Sequence, residues 1–160
     1  MTAAERAWTR VPLIVSFPDT ARFTETYGFA GNSGRVNLEG QLLRPAQASS
    51  TVYVFMHPTS TLQLLPMPTA LADLGLHVLC AASRYPKNDS ALIMEKVAID
   101  LGRWLDHARN ELGYAKVVLV GWSGGGSLSL FYQARAENPT ITHTPAGDEA
   151  NLVEAAVKPG

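Results

Sequence analysis

The sequence predicts an α/β fold, a sheet with helices packed against it. Three observations carry that prediction. Short apolar runs rich in β-branched and aromatic residues recur along the chain, at 11–17, 36–42, 51–56, 76–82 and 116–120. From the third run onward they alternate with helical patterns, at 66–74, 90–113 and 124–137. The chain has 160 residues, 46% hydrophobic and 17% charged, which is enough for one domain with a sizeable core.

Each element follows from local chemistry. The first run, 11–17, stops at Pro18-Asp19, and 19–34 is rich in Thr, Gly and Asn, a loop with a turn at Asn32-Ser33-Gly34. Val36, Leu38, Gly40 and Leu42 alternate with Asn37, Glu39 and Gln41, the pattern of a half-exposed strand. Residues 51–56, T-V-Y-V-F-M, form a strand that runs into His57-Pro58-Thr59-Ser60. The stretch 66–74 starts on a proline and is followed by Gly75, the favoured punctuation of a helix. Residues 76–82 form the next strand, and 83–89 leave it as a polar loop in which Arg84 and Tyr85 are candidate pocket lining, with plain loop surface as the commoner fate. Ser90 is placed to cap a helix ending at Gly113. Met94, Val97, Ala98, Leu101, Leu105, Ala108 and Leu112 form its buried stripe. Asp100, Arg103, His107 and Glu111 form its wet face. Asn138-Pro139 stops the last helix.

The chain is organised around residues 117–130, V-V-L-V-G-W-S-G-G-G-S-L-S-L. An apolar strand enters Gly121-Trp122-Ser123-Gly124-Gly125, a G-x-S-x-G match, and small residues then open a helix. This is the context of a nucleophile elbow. A serine at so sharp a turn stands clear of the sheet, and glycines let strand and helix nearly collide. Free N–H groups at the helix start lie ready for a developing oxyanion. A phosphate-binding loop would need Lys before Ser127, where Gly126 stands. A dinucleotide fingerprint would need a glycine where Ser129 stands.

With this motif and the elements ordered around it, the sequence resembles an α/β-hydrolase. The resemblance covers most of the chain but only the first half of that fold. It implies antiparallel first strands, then parallel strands with covering helices, with Ser123 as the nucleophile. It also implies an oxyanion hole made by the Gly124 amide and an amide of the loop after the third strand. That loop often carries His-Gly; here it carries His57-Pro58. Proline has no N–H, so the second donor falls to Thr59 or Ser60. His57 is expected to hold the turn by hydrogen bonds, with contact to substrate as the alternative; His57, Trp122 and Tyr85 are the candidate pocket residues. A general-base role for His57 does not fit the family, whose catalytic histidine comes last in the chain.

After Pro139 the signal collapses. Residues 140–160 are polar, with one weak helical stretch at 151–157. The family order is Ser, then acid, then His. Here the acids after Ser123 are Glu137, Asp148, Glu149 and Glu154, and His143 precedes the last three. The expectation is therefore a partial domain over 1–160 with a polar tail or junction from about 138. A second polypeptide, from a cleaved precursor or a split gene, is expected to bring the remaining strands, the acid and the histidine. The same partner would cover the elbow strand, which otherwise forms an open apolar edge.

Composition narrows the rest. A net charge of −1 gives no reason to expect nucleic acid or an anionic membrane surface as partner. No run approaches the ~20 apolar residues of a membrane span, and the N-terminus lacks the apolar core of a leader, so a cytoplasmic enzyme is the default. The single cysteine, Cys80, sits in a strand run and is expected in the core, as is His77. The function expected is hydrolysis of a small-molecule ester, thioester or amide, or of a C–C bond, with no cofactor and no metal. A binding or scaffold protein that lost its triad, and cofactor-free oxygen chemistry, are the alternatives.

Overall fold

The computed structural model describes residues 7–18 and 34–138. Residues 1–6, 19–33 and 139–160, which include the expected loop and polar tail with His143, Asp148, Glu149 and Glu154, lie outside the described residues.

The chain runs β1 (Trp8–Pro18), β2 (Arg35–Pro45), β3 (Thr51–His57), α1 (Pro66–Asp73), β4 (His77–Ala82), a short 3₁₀ turn (Asp89–Ala91), α2 (Met94–Asn110), β5 (Lys116–Val120) and α3 (Gly124–Glu137). The strands form one sheet in the order β1-β2-β4-β3-β5. β1 and β2 pair antiparallel over their full length, and β2 meets β4 antiparallel. β3 then lies parallel between β4 and β5. All five predicted strands are present, and the antiparallel-then-parallel arrangement is as expected.

Burial follows position in the sheet. All six residues of β4 are buried, because helices cover both faces. Each large apolar side chain sealed this way contributes about 1.5–3 kcal/mol. One face carries the larger core, where Val54, Met56 and Leu79 meet Val97, Leu101 and Trp104 of α2 and Leu128 of α3. The other face packs Phe55, Val78 and Cys80 against Leu62 and Ala72. The Trp8 indole N–H donates to Asp73 at 2.6 Å and ties β1 to α1. Cys80 is in the core as expected, and burial pushes its thiol up to about 12.

The α2 region corrects the sequence reading twice. The helix begins at Met94 rather than after Ser90. Asn88 accepts from the Ala91 amide and closes the 3₁₀ turn, and Leu92 and Ile93 are extended before the helix starts. The face assigned to water is also partly buried. Asp100 is fully buried, and His107 is half-buried with its ring edge-on to Trp104. Gly113 follows the helix at φ +78°, so the predicted stop holds.

Candidate active site

The turn between β5 and α3 places Ser123 at the carboxyl end of the parallel strands. Its side chain is exposed and its backbone sits at φ 51°, ψ −129°, a conformation L-residues avoid. Such a residue costs about 1–3 kcal/mol and persists only where its surroundings force it. Here two glycines do the forcing. A Cβ on Gly121 would stand 2.6 Å from the Gly126 Cα, and one on Gly125 would fall onto the Met56 carbonyl. Strand, turn and the start of α3 can therefore lie this close to the end of β3 only without side chains. The Gly125 and Gly126 amides donate to the Trp122 and Ser123 carbonyls, at 2.8 and 2.9 Å. The Gly124 N–H is the first of α3 and has no intrahelical acceptor by its position.

The loop after β3 lies directly against this turn. A Cβ on Gly124 would stand 3.0 Å from His57 Nε2, and the His57 and Trp122 ring centres lie 5.9 Å apart with the planes tilted by 54°. The loop is fixed from several sides. His57 Nδ1 accepts the Thr59 amide at 3.1 Å and the Ser60 amide at 2.9 Å. Ser83 Oγ donates to the Pro58 carbonyl while accepting the Tyr85 amide, and the Lys87 amide donates to the Thr59 carbonyl at 2.7 Å. His57 thus holds the turn, as the sequence suggested.

That arrangement fixes the histidine's chemistry. Amide N–H groups only donate, so Nδ1 must carry a lone pair, and the proton of the neutral ring sits on Nε2. Burial lowers the His57 pKa from its ordinary value, while the Asp89 carboxylate pulls the other way. The neutral ring with its proton on Nε2 has no lone pair to turn toward Ser123, so His57 is no general base in this arrangement. The other described histidines are placed elsewhere. His77 Nδ1 meets the Tyr114 hydroxyl at 2.6 Å and its Nε2 meets the Gln47 carbonyl, at the amino end of β4. His107 lies on α2 against Trp104.

The sequence-predicted residues are thus brought together unevenly. Ser123, Gly124, Trp122 and His57 meet at one turn, and Thr59 and Ser60 are joined to it only through the His57 ring. The Thr59 and Ser60 amides, expected to face substrate, both point at the His57 ring. Tyr85, expected as pocket lining or loop surface, is 2% exposed and packs in the core. Arg84 is not loop surface either; its guanidinium and backbone amide both bind Asp100. Two residues that sequence reasoning missed are Ser83, which joins the loops after β3 and β4, and Asp100. A serine in a polar loop and an acid on a helix carry no local signal for such contacts.

β5 is the outermost strand among the described residues and pairs on one side only, with β3. Its residues Val117–Val120 are half-buried, in contrast to β4, and Leu130 on the adjacent α3 is 75% exposed. Among the described residues no helix is long and apolar enough to cross a membrane.

No protein-family model and no curated protein matches the sequence. Solved structures do. A peroxisomal α/β-hydrolase, Lpx1 of Saccharomyces cerevisiae, superposes with a TM-score of 0.54 at 17% identity, covering 90% of this chain and 48% of its own. Esterase Est22 matches with a TM-score of 0.47 at 19% identity, covering 79% of this chain and 39% of its own. The chain spans about half the length, or less, of these proteins. The sheet order and the superposition on the hydrolase lead to one conclusion: this chain has the fold of the N-terminal half of an α/β-hydrolase.

Proposed function

We propose that the protein is the nucleophile-bearing half of a serine hydrolase that cleaves a small acyl substrate through an acyl-enzyme on Ser123. The observation that carries this reading is an exposed serine held at φ 51°, ψ −129° between a strand and a helix. Strain of this kind collects at functional sites. Ser123 Oγ attacks the carbonyl carbon of an ester, thioester, amide or cleavable C–C substrate and gives its proton to an imidazole base. The Gly124 N–H and the positive end of α3 stabilise the oxygen that becomes negative. Collapse expels the leaving group, which takes the proton back, and water then releases the acyl group by the reverse sequence. In this reading Trp122, 37% exposed beside Ser123, lines the acyl pocket.

The base and its carboxylate partner come from a second polypeptide seated along β5. Two observations support this. β5 has an unpaired apolar edge among the described residues, and His57 has no lone pair for the task. The test of the whole reading is a fluorophosphonate probe on the native assembly, with Ser123→Ala as control. The expected result is one adduct, on Ser123, with hydrolysis of p-nitrophenyl acetate lost in parallel. Hydrolysis that survives Ser123→Ala within tenfold, or an adduct on another serine, would refute it.

A further inference from the structure

We propose that the His57 Nε2–H, rather than an amide of the following loop, donates the second hydrogen bond to the oxyanion formed at Ser123. The proposal rests on the reading of Ser123 as nucleophile. An oxyanion hole needs two donors converging on one oxygen. Gly124 supplies the first. The loop amides that would supply the second are turned inward, with both Thr59 and Ser60 donating to His57 Nδ1. Pro58 has no N–H, and its carbonyl is held by Ser83. The same two bonds that consume the amides force the proton of the neutral ring onto Nε2. That nitrogen lies beside Gly124, where a methyl group would be only 3.0 Å away. The ring passes the donor capacity of the loop across to the site: amides into Nδ1, Nε2–H out toward the turn.

The ring is also held ready. The loop is tied to the loop after β4 through Ser83 and Lys87, which keeps the ring where its Nε2 lies beside Gly124. Burial lowers the imidazole's pKa and favours the neutral donor. Fixed dipoles aimed at developing charge are the usual basis of such stabilisation.

Two substitutions separate the two ring nitrogens. In His57→Asn the carboxamide oxygen replaces Nδ1 as acceptor for the loop amides, but nothing replaces Nε2–H. In His57→Gln the carboxamide nitrogen reaches the Nε2 position, but the acceptor for the loop is lost. The assay is p-nitrophenyl acetate hydrolysis by the native assembly, with the thermal midpoint measured alongside. His57→Asn should keep the midpoint within a few degrees and lose about 10²–10³ in kcat, the cost of one oxyanion donor, with KM little changed. His57→Gln should recover at least tenfold over His57→Asn despite the weaker loop. A His57→Asn enzyme within threefold of wild type, or a His57→Gln enzyme slower than His57→Asn, would show that the ring only anchors the loop. Nitrogen-15 histidine NMR of the unlabelled and fluorophosphonate-labelled protein gives an independent reading. Nε2 should carry the proton in both, and its resonance should move downfield in the adduct; a proton on Nδ1, or an unmoved Nε2 resonance in a Ser123 adduct, overturns the proposal alone. Absence of any Ser123 adduct in the wild type instead overturns the nucleophile reading, and this one with it.

Discussion

Arg84 and Asp100 form an ion pair sealed from water, with Nη2 to Oδ1 at 2.8 Å and side chains 8% and 0% exposed. The Arg84 backbone amide adds a bond to Oδ2, also at 2.8 Å. The pair fastens the loop after β4 to the first half of α2. Arg84 also lies over the Phe17 ring and so extends the contact to β1. Breaking a buried ion pair by removing one partner costs about 3–5 kcal/mol. Asp100→Ala should therefore destabilise by that amount, and Asp100→Asn by less, because its amide oxygen can still accept the Arg84 N–H. Urea unfolding midpoints check this; an Asp100→Ala protein within about 1 kcal/mol of wild type would place the pair at surface value.

Ser123 trades stability for position. Glycine adopts its backbone angles without steric cost, so Ser123→Gly should remove hydrolysis while raising stability by about 1 kcal/mol, the strain released less the extra entropy of the unfolded chain. Thermal denaturation of Ser123→Gly beside Ser123→Ala measures this. An Ala variant as stable as the Gly variant would mean that the turn is not strained.

Neighbouring glycines of α3 should behave in opposite ways. Gly125→Ala puts a methyl group onto the Met56 carbonyl and must separate α3 from β3, so misfolding or loss of at least 2–3 kcal/mol is expected, on the order of an overpacked core site. Gly126 has open space for a Cβ, and Gly126→Ala should be neutral or stabilising by about 0.5–1 kcal/mol through helix propensity. The reverse order of stabilities would show that the close approach is absent in solution.

The lowered pKa of His57 has a defined consequence for pH. The folded state binds a proton less readily than the unfolded chain, where histidine titrates near its ordinary value of about 6.5. The stabilisation is complete above that value and is lost as pH falls from it toward the lower folded pKa. Protonation also puts a hydrogen on Nδ1, against the Thr59 and Ser60 amides. Wild type should therefore lose more stability than His57→Asn between pH 7.5 and 5. Asp89→Asn should deepen the effect, because the Asp89 charge favours the imidazolium. Equal pH slopes for wild type and His57→Asn would remove the basis for this link.

Among the described residues β5 has one unpaired edge, which leads to an assembly prediction. A sheet edge of half-buried valines and leucine beside an exposed Leu130 should be covered by a permanent, largely apolar interface. Native mass spectrometry should find this chain one-to-one with a polypeptide on the order of 100 residues that carries an acid followed by a histidine. A stable, monomeric and hydrolytically active 17.2 kDa species would contradict it.

The sequence by itself determined the order and type of the elements, since alternation in β2, unbroken apolar runs in β4 and β5, and the Pro66 and Gly75 punctuation are all local signals. It also determined the turn at Ser123, because only glycines at 121 and 125 permit that approach of backbone to backbone. What only the tertiary structure decided are the polar partnerships between distant segments. Asp100 reads as solvent-facing on a helical wheel, yet the loop after β4 brings Arg84 over it. Tyr85 reads as loop surface, yet that loop folds back into the core. The Thr59 and Ser60 amides read as free donors, yet the ring of His57 turns under them and takes both. Periodicity records how often a position meets the core. Which polar group lies across from another depends on how loops from separate strands converge, and no local pattern encodes that.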